Sequence, residues 1–307
     1  MGTSYKIKIT EHYKIDKIQK IKNSIDSILV NLNQQMSTWI IDSEISLFNH
    51  SRVTDYYKIS NEFYHVLEQG KLISKQTLGA FDYSVFPLVR LWGFGPEKNN
   101  SSMFPGGGEI KRVLEYVGQD KVILKYPYIK KSHPKVQIDL NAIAKGYAVD
   151  IIHNWLIFKN HKNIYVEIGG EIRCNGVNKT GSNWTIGIDA PLSNYFSGQK
   201  IYTTTRLENM SLATSGNYRN FLDKNGKKIS HSIDPRNGMP VETNVLSVSV
   251  KARSCLVADA WATALMVLSF DDGLQAINRA EELEVLWILS KDQTSFSQFS
   301  TEGFFNK

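Results

Sequence analysis

The stretch Ser254 to Leu268 does most to limit what this chain can fold into. Beyond its first residue it is apolar except at Asp259 and Thr263, and a helix that is apolar on every side belongs inside a core. Residues four apart on a helix share a face, so the carboxylate of Asp259 stands beside the hydroxyl of Thr263. Burying a carboxylate is costly unless it is paired or bound to a cation. Two readings stay open on this segment alone. Asp259 is a helix-start residue and Thr263 bonds back to its own backbone, or the two oxygens belong to a hard-cation site, since Mg²⁺ takes one or two protein carboxylates with substrate phosphate and water.

Elsewhere, apolar residues at 15, 18, 21, 25, 28, 29 and 32 predict an amphipathic helix over Ile15 to Leu32. A weaker helical pattern runs through Phe63, Val66, Leu67, Gly70 and Ile73, and Met36 to Asn49 between them reads as irregular. A third helix is expected from near Asn141 through Trp155. Short strands follow at Ile164 to Ile168, Trp184 to Ile188, Ile201 to Arg206, Ser211 to Thr214 and Val245 to Lys251, with a closing strand at Glu284 to Ser290. Lys98 to Glu109, rich in Asn, Ser and Gly, reads as a mobile surface loop, a lid or a linker. The mixed order, without regular βαβ alternation, implies an α+β fold. At 307 residues the chain is one large domain or two intimately packed lobes.

The formal net charge of +6 comes from basic residues spread between Lys6 and Lys307, not from a stripe or tail, so no nucleic-acid partner is expected. A mild positive excess does favour an anionic ligand. The two cysteines, Cys174 and Cys255, form no CxxC or Cys/His cluster and read as buried thiols. No stretch reaches the roughly 20 apolar residues of a membrane span.

Neither GxGxxG after a strand nor GxxxxGK[ST] occurs, so a nucleotide site here must be built differently from a Rossmann fold or a P-loop. HExxH and GxSxG are missing as well. Asp139 to Tyr147 passes from a strand-like end into a helix with Lys145 in its first turns, a place suited to a pyrophosphate. The plainer reading makes Asp139 a cap and Lys145 a solvated charge. Gly79-Ala80-Phe81-Asp82, Leu91 to Pro96 and Trp39 offer glycine turns and aromatic rings that suit either a flat ligand or a buried cluster. His231, in Ser230 to Gly238, is placed for proton transfer or for a structural role.

Taken in order, these segments resemble the ApbE-type FAD:protein FMN transferase family, from the first residues to about Leu268. The resemblance rests on Met1-Gly2-Thr3, on Met36 to Trp39 followed by Ser43 to Ser46, and on Gly79 to Asp82 with Leu91 to Pro96. It continues through Asp139 to Tyr147, Ile168-Gly169-Gly170-Glu171, Ala213 to Gly216, Ser230 to Gly238, and Ala258 to Leu265.

That resemblance implies an α+β, T-fold-like architecture of helices and antiparallel strands around a flavin cleft. It implies an enzyme in which an acceptor hydroxyl attacks the FAD pyrophosphate, leaving FMN in a phosphoester and releasing AMP, with Mg²⁺ as cofactor. Carried over by position, the metal ligands fall on the Ala142 carbonyl and on the side chains of Asp259 and Thr263. The flavin contacts fall on Met1, Trp39, Ala80, Phe81, Asp82, Asp139, Lys145 and Ile233, and His231 is the expected proton acceptor. Family members usually carry tyrosine where Trp39 stands. The expected partner is a Ser/Thr-bearing acceptor protein, typically a subunit of a membrane redox complex. A periplasmic or lipid-anchored location is expected, with a cytoplasmic one as the alternative. An FAD pyrophosphatase and a non-catalytic flavin-binding protein are the competing functions.

Overall fold

The computed structural model describes residues 2–96, 104–191, 200–217, 221–224, 227–280, 282–291 and 295–305, with backbone alone for 221–224 and 227–229. The chain opens with β1 (Tyr5–Ile9), α1 (Ile15–Met36), α2 (Glu44–His50), β2 (Tyr57–Lys58) and α3 (Asn61–Gln76). There follow α4 (Phe86–Trp92), α5 (Gly107–Leu114), the hairpin β3 (Val122–Lys125) and β4 (Tyr128–Lys131), and α6 (Ala144–Phe158). Strands β5 (Ile164–Ile168), β6 (Glu171–Asn175), β7 (Trp184–Asp189), β8 (Ile201–Leu207) and β9 (Ser211–Gly216) come next. The hairpin β10 (Phe221–Lys224) and β11 (Lys227–Ser230) leads to β12 (Val245–Ala252), α7 (Cys255–Val267) and α8 (Phe270–Ile277). Strands β13 (Glu284–Ser290) and β14 (Phe296–Ser300) complete the described chain.

A seven-stranded sheet in the order β1-β5-β6-β9-β12-β13-β14 organises these elements, and every neighbouring pair is antiparallel. Strand alternation sorts its two faces. Ile164, Val166, Ile168, Ala213, Val248, Val250 and Val285 face the helical layer, where α6 and α7 lie against the sheet and against each other. Tyr165, Ile172, Cys174, Leu212 and Leu286 face the other way and bury Trp184, Ile186 and Ile188 of the β7–β8 ribbon. Thus the apolar run 255–267 is central, as its composition demands. Among the described residues no helix is long and apolar enough to cross a membrane.

The α+β class is borne out, with four corrections. α2 occupies part of the stretch read as irregular: Ser43 caps it by accepting the Ser46 amide, and Ile45 and Phe48 are buried. A helix of seven residues is too short to display a period. α6 begins at Ala144 instead of Asn141, because Asp139 holds residues 139–141 in a turn by accepting the Asn141 amide at 2.9 Å. In the expected loop, residues 98–103 lie outside the described residues, whereas Gly107 to Glu109 begin α5, held by Ile110 packed with Leu88, Trp92 and Ile233. β13 does not close the sheet, since β14 pairs along its other edge.

Candidate active site

One cleft of about 790 Å³ opens where the N-terminal end of α6 and the middle of α7 meet three loops. Its lining includes Trp39, Ala80, Phe81, Asp82, Asp139, Ala142, Lys145, His231, Ile233, Asp259 and Thr263. The structure therefore brings together every site residue named from the sequence except Met1, which lies outside the described residues.

The two helices build the polar floor. Asp259 is 2% exposed, its Oδ2 accepting the first-turn amide of Gly146 at 3.0 Å. Lys145 Nζ donates to Asp259 Oδ1 at 3.4 Å and to Glu171 Oε1 at 2.9 Å, so one ammonium is shared by two carboxyl groups. Burial alone would lower the Lys145 pKa, but the charges of Asp259 and Glu171 outweigh it and hold the ammonium above its usual value. Glu171 is 4% exposed, and burial followed by the Asp259 charge pushes its carboxyl up to about 7 against the pull of Lys145. Among the described residues its Oε2 has no hydrogen-bond partner. Gly169 and Gly170, at φ 61° and 106°, turn β5 into β6 and set Glu171 at the head of that strand. Only glycine takes two such conformations in succession at low cost.

Gly146 gives its amide to Asp259, not to the Ala142 carbonyl four residues back. That carbonyl is left without its helical donor beside the cleft. Thr263 Oγ1 lies 3.4 Å from Ser215 Oγ of β9 on the same wall. Carboxylate, hydroxyl and carbonyl oxygens, of the kind a hard cation takes, line this wall, and both oxygens of Asp259 already accept hydrogen bonds, from Lys145 and Gly146.

Loops supply the other walls. Thr77 Oγ1 accepts the Phe81 amide at 3.2 Å, and the Tyr83 carbonyl accepts the Asp139 amide at 2.7 Å, which ties the two loops together. Asp82 accepts the Ser84 amide (2.7 Å), the Ser84 hydroxyl (2.6 Å) and Gln119 Nε2 (3.1 Å). Burial pushes its carboxyl up to about 6 despite these bonds. Burial likewise raises Asp139, and the hydrogen bonds from Asn141 pull it back. Trp39, 65% exposed, presents its ring at the rim. His231 follows β11, with its ring centroid 6.4 Å from that of Phe94. Asn217 Oδ1 accepts from both Ser230 Oγ (3.0 Å) and Ser232 Oγ (2.9 Å), clasping the backbone on either side of the histidine.

The sequence profile of the ApbE family matches residues 1–287. The chain belongs to the ApbE family. The FAD:protein FMN transferase of Vibrio cholerae serotype O1 is 36% identical over 304 residues, which cover 99% of this chain and 89% of that protein. That of Haemophilus influenzae is 37% identical over 299 residues, covering 95% and 85%. The solved structure of the flavin transferase ApbE from Vibrio cholerae matches with a TM-score of 0.88 at 33% identity, covering 99% of this chain and 95% of that one.

Three residues had no role assigned from sequence: Glu171, which lines this ApbE site, and Asp150 and Asn217, which support it from outside the lining. Glu171 ended a quoted motif, and its signal was a carboxylate placed directly after a glycine pair. Asp150 of α6 accepts Ser254 Oγ (2.7 Å) and the Cys255 and Leu256 amides (both 3.0 Å), so one helix caps the start of the other. Its signal was the same as that of Asp259, a lone acid in an apolar helix. Asn217 had none, since its role depends on a loop that returns beside it.

Proposed function

We propose that this ApbE family member transfers FMN from FAD to a serine or threonine hydroxyl of an acceptor protein and releases AMP. The observation that carries the reading is a cleft of dinucleotide size, in which a partly buried ammonium, a set of oxygen donors and an imidazole line one space. The relatives named above act as FAD:protein FMN transferases over nearly the whole length of this chain.

In this reading the N-terminal end of α6 and the cationic Lys145 attract the pyrophosphate. Trp39, Phe81 and Phe94 cover flat parts of the dinucleotide. The acceptor hydroxyl oxygen forms a bond to the phosphorus on the FMN side, the bond from that phosphorus to the bridging oxygen breaks, and AMP leaves with the electron pair. His231 accepts the hydroxyl proton. Asp259, Thr263 and the Ala142 carbonyl would hold Mg²⁺, which when bound offsets the charge that builds on phosphate oxygens. By resemblance alone, we propose an acceptor among the subunits of membrane redox complexes, met at the periplasmic face.

The test is incubation with FAD, Mg²⁺ and a threonine-bearing candidate acceptor, with covalent flavin fluorescence followed on a denaturing gel. Fluorescent acceptor is expected, and D259A should abolish it while retaining FAD binding. FMN and AMP formed at one rate with or without acceptors would make the protein a pyrophosphatase. FAD left intact with every divalent cation would make it a binding protein.

A further inference from the structure

Transfer brings a second substrate to His231, and a dinucleotide in the main cleft leaves that substrate to approach from elsewhere. Beside the cleft lies a second cavity of about 560 Å³. The segment 230–234 is the wall between them: Ser230 and Asp234 line the second cavity, whereas His231, Ser232 and Ile233 line the first. Val267, the last residue of α7, lines both. The partition carries the imidazole, and at Ile233 it pairs with Pro240 of the second cavity's lining.

The second cavity's polar groups are largely committed. Asp234 accepts two bonds from the Arg236 guanidinium, each at 2.9 Å, and Trp92 Nε1 donates to the Gly238 carbonyl at 2.8 Å. Alongside Ser230, Asn237 and Glu242 it presents an apolar portion: Trp92 and Phe104, with ring centroids 6.3 Å apart, and beside them Val241 and Met239, the latter 47% exposed. A cavity of this size falls in the range of small-ligand sites, roughly 300–1,000 Å³, which suits a few side chains and excludes a globular domain.

The geometry points to this second cavity as the docking site of the acceptor protein: a short extended segment places an apolar side chain between Phe104 and Met239 and brings its neighbouring serine or threonine over the partition to His231. The inference rests on the transfer reading and adds the partner's mode of recognition to it. Its basis is continuity with the FAD cleft across a shared wall. Burial of one apolar side chain there supplies the contact that distinguishes a protein hydroxyl from water.

The probe is a bead library of dodecapeptides, each with one central threonine and randomised flanks, incubated with enzyme, FAD and Mg²⁺. Fluorescent beads should share an apolar residue close to the threonine. For a selected peptide, Met239→Glu should raise KM tenfold or more with FAD affinity unchanged, and Met239→Leu should keep the wild-type KM. Met239 is exposed and lies outside the FAD cleft, so the fold and FAD binding stay intact in both variants. An unchanged peptide KM in Met239→Glu overturns the proposal. So does a library without a labelled bead while the enzyme still splits FAD. Wild-type enzyme that leaves FAD intact overturns the transfer reading itself, and this proposal with it.

Discussion

Gly146 and Asp259 hold α6 and α7 in direct contact: the glycine amide donates to the carboxylate at 3.0 Å, and a methyl group on Gly146 would lie 2.8 Å from Asp259 Cβ and collide with the Cys255 carbonyl. The oxygen donors of the cleft thus depend on the absence of a side chain on the neighbouring helix.

Gly146→Ala is expected to lose more through this collision than it gains in helix propensity. Propensity favours alanine by about 1 kcal/mol, whereas overpacking a close contact costs about 1–3 kcal/mol. The net outcome is a lower Tm, read by thermal unfolding. A wild-type Tm would show that the two helices part freely.

Asp150→Ala should be among the most destabilising single changes in the helical layer. It removes the acceptor for the Ser254 hydroxyl and for two amides at the start of α7, and it leaves Arg173, paired with Asp150 at 2.5 Å, without its carboxylate. Losing a helix cap costs about 0.5–2 kcal/mol, and leaving the partly buried Arg173 unpaired adds to it. Urea unfolding measures it, and a loss below about 1 kcal/mol would count against the capping role.

His153 gives the stability a pH dependence of known sign. Burial, followed by the charge of Arg173, lowers its imidazole to about 4 from the usual 6.5. The folded chain resists a proton that the unfolded chain accepts, so this contribution is complete above about 6.5 and is lost as pH falls toward about 4. Asp82 and Glu171, raised to about 6 and about 7, act in the opposite sense over an overlapping range. Comparison of wild type with His153→Gln isolates the imidazole: between about pH 7 and pH 5 the variant should lose about 2 kcal/mol less stability. Parallel curves for the two proteins would refute it.

Trp39→Ala should weaken FAD binding by roughly 5- to 30-fold, as loss of about 1–2 kcal/mol of ring contact implies. It should leave Tm nearly unchanged, because the side chain is mostly exposed. Trp39→Tyr should keep most of the affinity. Flavin fluorescence titration reads both, and equal affinity in all three proteins would remove Trp39 from the site.

The helices α1 and α3, the α7 core helix and most strands of the main sheet were legible because period and apolarity are properties of neighbouring residues. α2 and the short β2–β4–β3 sheet were not, since two to seven residues are too few to show a pattern and their stability comes from packing. The ordered motifs also carried the family, because each preserves a local chemistry of turns, helix starts and lone polar residues.

Distance is what only the tertiary structure decided. Lys145 meets Glu171 across 26 positions and Asp259 across 114, and nothing in the spacing of either pair predicts that one ammonium serves both. The sequence by itself determined which residues were chemically unusual for their surroundings, among them Asp259 in an apolar helix and Lys145 at a helix start. Which of them share a cleft, and that the segment carrying His231 divides two cavities, follows from antiparallel pairing and helix packing between distant segments. Those contacts form only when the whole core is buried, so no local pattern encodes them.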